Sequence, residues 1–142
     1  MEALLHSEVI GRVGCHADGR TYVVPITFVY DGNAIYCHTG DGLKLRMMRA
    51  NPRVCFEVDT WRDTSNWESV VVDGRFEELH GADAEHAMAM LVDRIKRMSS
   101  SLKSAQTPGI DPEALKAGHN PAMHATLFRI AVDEATGRFE QR

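Results

Sequence analysis

Little in this chain of 142 residues suggests a disulfide scaffold, a membrane anchor or a polyanion-binding surface. It has only three cysteines, Cys15, Cys37 and Cys55. Their number is odd, their spacing is wide and no Cys-x-x-Cys occurs, so they read as reduced, buried thiols. No apolar run approaches the roughly 20 residues needed to span a bilayer. The opening stretch, Met1 to Ile10, contains Glu2, His6 and Glu8 and lacks the basic start and apolar run of a signal peptide. A cytoplasmic location without a membrane partner is therefore expected. Basic residues are in the minority, 16 against 20 acidic, for a net charge of −4. Neutralising phosphates along a nucleic acid needs a basic face, so no nucleic-acid partner is expected. There is no Gly-x-Ser-x-Gly elbow and no Walker-type phosphate loop. No internal repeat is visible.

What is present is ordinary for a globular protein: 44% hydrophobic and 25% charged residues. The length favours one domain over residues 1–142, able to bury roughly two-thirds of its unfolded surface without a staple. The first two-thirds reads mainly as strands. Val9 to Cys15 ends at the turn signal Ala17-Asp18-Gly19. Thr21 to Tyr30 is rich in β-branched and aromatic residues and ends at Asp31-Gly32-Asn33, a hairpin cue before the return strand Ala34 to Thr39. Pro25 cannot donate to a ladder, which puts its strand at an edge there or in a bulge. A helix from Asp41, its cap, to Ala50 is stopped by Asn51-Pro52. Arg53 to Asp59 is a strand, Trp61 to Asn66 a polar loop, and Ser69 to Leu79 a strand with Val70, Val72 and Phe76 on one face. Ala84, Ala87, Met88, Leu91, Ile95 and Met98 form an apolar stripe on a helix from about Asp83 to Met98. Residues 99–123 read as a loop with a short helix opening at Asp111-Pro112-Glu113. His124 to Val132 is a last strand, and Gly137 to Arg142 a hairpin return or frayed tail. Short hairpin connections leave no room for crossover helices, so the class is mainly β (α+β), a barrel of about six antiparallel strands with flanking helices.

The segment from Tyr36 to Arg53 carries most of the chemistry. A strand ends at His38-Thr39, and Gly40-Asp41-Gly42 turns into a helix with Lys44 in its first turn. Unpaired amides at a helix start attract anions, and the glycines allow close approach. Lys44, Arg46, Arg49 and Arg53 bring four positive charges without an intervening acid, a basic island suited to a phosphate. The alternative is that Arg46 and Arg49 form an ordinary solvated helix face. Cys15-His16 and Cys37-His38 invite a metal site, but neighbours on a strand point to opposite faces and cannot chelate one ion. No metal is expected.

Three stretches together resemble the pyridoxamine phosphate oxidase-like family of flavin-binding split barrels, in particular its nitroimidazole-resistance branch. They are Val23-Val24-Pro25-Ile26-Thr27-Phe28, Tyr36 to Leu45 with Asn51 to Phe56, and Trp67-Glu68-Ser69-Val70-Val71-Val72-Asp73-Gly74-Arg75. The resemblance covers about residues 5 to 98. It implies a six-stranded split β-barrel in a homodimer, with FMN (FAD as the alternative) at the interface. Val24, Pro25, Ile26 and Thr27 would line the flavin ring. His38, Thr39 and Lys44 would hold the ribityl phosphate. Trp67 and Ser69 would complete the site, in one arrangement from the other subunit. The expected activity is a flavin-dependent oxidoreductase passing electrons from an NAD(P)H donor to a small acceptor such as a nitro-aromatic or quinone. A non-catalytic flavin module and a haem-binding module of the same fold are the alternatives. No catalytic side chain is assigned.

Overall fold

A computed structural model describes residues 1–99 and 125–141. The chain opens with a short helix, α1 (Glu2–Ser7), which the sequence pattern does not predict because six residues are too few to display a helical period. Burial of Leu4 and Leu5 in the main core holds it. The strands β1 (Ile10–Ala17) and β2 (Arg20–Tyr30) follow as a hairpin. Its turn uses Asp18 at φ 52° and Gly19 at φ 75°, the twisted two-residue loop that matches strand twist. A second hairpin joins β2 to β3 (Ala34–Thr39), where the Asp31 carboxylate accepts the amides of Asn33 and Ala34, each at 2.8 Å.

Next come α2 (Leu43–Ala50), β4 (Arg53–Asp63), β5 (Asn66–Leu79), α3 (Gly81–Ser99) and β6 (Thr126–Glu140). The polar stretch Trp61 to Asn66, expected as a loop, is instead mostly strand. Trp61 pairs with Trp67 across the β4–β5 hairpin, their rings stacked at 5.2 Å, and Asp63 closes the turn by accepting the Ser65 amide at 2.7 Å. Cross-strand pairing here outweighs composition. The last strand also runs further than expected. Gly137 continues β6 and pairs with Val70, so no return hairpin forms. The register shifts between Asp73 and Gly74, leaving Asp133 as the extra residue of a bulge. The expected helix at Asp111 lies outside the described residues.

All pairings are antiparallel, and the strands close in the order β1-β2-β3-β6-β5-β4. This is the six-stranded barrel expected from the sequence. Inward residues such as Val13, Phe28, Ile35, Phe56, Val72 and Phe128 fill it. Phe28 and Phe56 meet edge to face at 4.8 Å. Outside the barrel, α3 lays Ala87, Met88 and Leu91 over Leu79 and Leu127, with Val29 and Tyr36 beside them. The smaller α2 adds Leu45, Met47 and Met48 to the main core. Pro25 behaves as its chemistry requires: β2 pairs with β3 only from Phe28 to Tyr30, so the Pro25 half of the strand is laddered to β1 alone. Cys15 and Cys37 are buried as expected, but Cys55 is exposed. It sits on the outward face of β4 beside Gly14, because the inward positions belong to Val54 and Phe56.

Candidate functional site

The end of β3 and the start of α2 form one wall of a cleft of about 270 Å³. Thr39, Gly40, Asp41, Gly42, Leu43 and Lys44 line that wall, and Tyr22 and Val24 of β2 line the other. At Gly40 and Gly42 a Cβ would meet nothing within 4 Å, so the turn faces open space. The Thr39 hydroxyl donates to the Gly40 carbonyl at 3.1 Å and fixes the turn.

Asp41 does not cap α2, contrary to expectation. The N-cap is Gly42, whose extended backbone sets Asp41 one residue too early, and no side chain caps this terminus. The first intrahelical bond runs from the Arg46 amide to the Gly42 carbonyl at 3.1 Å. The preceding first-turn amides have no acceptor within the helix, which is the usual condition of an anion-binding terminus.

Lys44 is half-buried in this cleft. Burial pushes its ammonium below the usual lysine range, with the neighbouring Cys37 and Cys15 thiols acting in the opposite sense. Burial likewise pushes the Cys37 thiol well up, so it stays protonated and inert, and Cys15 is raised for the same reason. Among the described residues Lys44 makes no ion pair. The rest of the basic island is dispersed. Arg49 is clamped to Glu78 at 2.8 and 3.2 Å, Arg46 is exposed on the helix, and Arg53 starts β4. Only Lys44 reaches the cleft.

The other residues singled out in the sequence fall in three places. His38 is buried but lies on the opposite face of β3 from Thr39, the face that carries Tyr36 toward α3. It is not part of the cleft wall. The β2 residues divide by strand alternation. Val24 and Ile26 face inward, Val24 at the cleft and Ile26 in the barrel core. Pro25 and Thr27 face outward, Pro25 exposed and Thr27 buried. Trp67 lines a second cleft of about 470 Å³ together with Leu4, Arg62 and Phe139. Ser69 stands in register with Asp59 and Arg138 on the same sheet. Within one chain, then, Trp67 and Ser69 are not brought to Lys44.

The second cleft is larger, yet Glu8, Glu68 and Glu140 line it against Arg62 alone, a balance unfavourable to an anion. The smaller cleft has the unpaired ammonium and the uncapped helix. Sequence reasoning missed Tyr22, although it is two residues from Val24 and so on the same strand face.

A sequence profile of the pyridoxamine 5'-phosphate oxidase family matches residues 1–139. The chain belongs to this family. An uncharacterized protein of Rhizobium meliloti (strain 1021), RA0666, is 33% identical over 132 residues, covering 91% of this chain and 83% of the relative. Among solved structures, an FAD-binding protein from Mesorhizobium loti matches with a TM-score of 0.73 and 30% identity, over 99% of this chain and 92% of that one. The FAD binding protein from Mycobacterium smegmatis matches with a TM-score of 0.63 and 24% identity, over 99% and 91% of the two chains; at that identity the likeness is one of fold. Family membership extends the resemblance read from residues 5 to 98 through β6, so the strand that closes the barrel belongs to the family pattern too. Among the described residues no helix is long and apolar enough to cross a membrane.

Proposed function

We propose that this member of the pyridoxamine 5'-phosphate oxidase family binds a flavin nucleotide, with its phosphate in the Gly40–Lys44 cleft, and works as a flavin-dependent oxidoreductase. The observation that carries the reading is a half-buried Lys44 ammonium, without an ion-pair partner among the described residues, beside an uncapped helix start. A cation held out of water without a counter-ion is stabilised by an incoming anion, and oriented amides add to that attraction. The Mesorhizobium loti protein, named for binding FAD and 30% identical, supports a flavin as the anion's carrier.

When bound, a flavin supplies hydride and electron transfer, and the protein's part is orientation, electrostatics and exclusion of water. Lys44 and the first-turn amides of α2 would hold the phosphate. Gly40 and Gly42 would let it approach the backbone. Val24 and Tyr22 would supply the apolar wall along which the nucleotide lies. An NAD(P)H donor and a small acceptor, such as a nitro-aromatic or quinone, complete the proposed reaction. A homodimer is part of the same reading. Trp67 and Ser69 are remote from Lys44 within the chain, and a second copy would bring its own pair to the first copy's flavin.

The test is spectroscopic. The purified chain is expected to be yellow, and Lys44→Ala to lose most of its flavin while retaining the circular dichroism of the parent. Anaerobic mixing with NADH or NADPH is expected to bleach the flavin bands. Unchanged absorbance would reduce the function to flavin binding without turnover.

A further inference from the structure

Resting on the flavin reading above, we infer that Arg20 selects a flavin nucleotide with a diphosphate bridge over one that ends in a single phosphate. Arg20 begins β2, and its guanidinium carbon stands 5.7 Å from the centroid of the Tyr22 ring. Tyr22 lines the cleft. Residues 20, 22 and 24 share one face of the strand, so Arg20 lies roughly 7 Å further along the wall that Val24 and Tyr22 build. That displacement is outward, toward the exposed β1–β2 turn, whereas Lys44 is half-buried next to Cys15 and Cys37.

Arg20 does not line the cleft itself but stands beyond Tyr22 on the same strand face, so two cations follow one another along this wall, the lysine inside the cleft and the arginine outside it. Among the described residues Arg20 makes no ion pair, so its fork is not committed to a carboxylate. Stacking on Tyr22 restricts it at small cost, and a planar fork suits a phosphate diester oxygen pair. Asp41 on the opposite wall points to the same preference. A terminal phosphate carries nearly two negative charges at neutral pH, while each phosphate of a diphosphate diester carries about one. The Asp41 carboxylate therefore opposes the terminal form more strongly.

The full chain, stripped of flavin, is titrated separately with FMN and FAD, with binding followed by flavin fluorescence. Arg20→Ala is expected to weaken FAD by about tenfold and to leave FMN within about twofold. Arg20→Gln, which removes the charge and the fork but keeps part of the aliphatic stem, should behave alike. Equal losses for both nucleotides, or no loss for FAD, would overturn the role of Arg20. Lys44→Ala separates this from the reading beneath it. A similar loss of both nucleotides upholds the phosphate cleft, whereas no effect on either, or a parent chain that binds neither, overturns both claims.

Discussion

Lys44 is the residue on which the chemistry turns, and its titration is measurable. Binding a phosphate needs the protonated ammonium, and burial sets its pKa below the usual lysine value. Flavin affinity should be highest below that depressed pKa and fall as pH rises through it. In Lys44→Ala that alkaline fall should vanish along with most of the affinity, as read by fluorescence titration across pH. Asp31 offers an independent test in the fold. Burial raises its carboxyl, but the amides of Ala34 and Asn33 outweigh this and hold it below the usual value. A depressed carboxyl stabilises the native state above its unfolded pKa, and that contribution is lost as pH falls through the folded one. Asp31→Ala should cost on the order of 0.5–1 kcal/mol at neutral pH, the low range befitting a solvent-exposed turn. In urea melts the gap from the parent should close in acid. The Asp-Gly signal for this turn was legible because the chemistry is local. The placement of His38 was less so: strand alternation sets it opposite Thr39, while the resemblance groups the two.

At the scale of elements, the barrel strands announced themselves through alternating burial and turn residues, since both signals are short-range. Three features did not. The six-residue α1 is too short for a period, the β4–β5 hairpin depends on the Trp61–Trp67 stack across strands, and the full length of β6 depends on its pairing with β5. The first has too few residues to pattern, the second rests on a cross-strand pair that composition does not reveal, and the third on pairing between residues distant in sequence. Arg49 shows the same limit, since its partner Glu78 belongs to a strand 29 positions away. The Gly74 bulge tests the β5–β6 register. A Cβ there would collide with the Ala131 carbonyl oxygen and the Ile130 side chain. Backbone in a paired strand yields poorly, so Gly74→Ala should destabilise by about 1–3 kcal/mol in a denaturant melt. A neutral substitution would mean that β6 approaches β5 less closely at this bulge.

For the whole molecule, the fold and family were legible because motif order and spacing survive where single motifs are weak. The placement of the proposed site residues was not: the resemblance groups Thr39, Lys44, Trp67 and Ser69, while the barrel sets Thr39 and Lys44 on one cleft, Trp67 on another and Ser69 in register with Asp59 and Arg138. If a second copy completes the site, dilution should lower the dimer fraction and the bound flavin together. Light scattering coupled to size exclusion, with absorbance at the flavin bands, reads both. A monomer retaining its flavin would contradict the shared site while leaving the cleft intact. The central claim, that the Gly40–Lys44 corner anchors a flavin phosphate, is tested most directly by the visible spectrum of the purified chain beside that of Lys44→Ala. The account predicts flavin bands in the first and their loss from an otherwise folded second; a colourless parent that takes up no added FMN or FAD would contradict it.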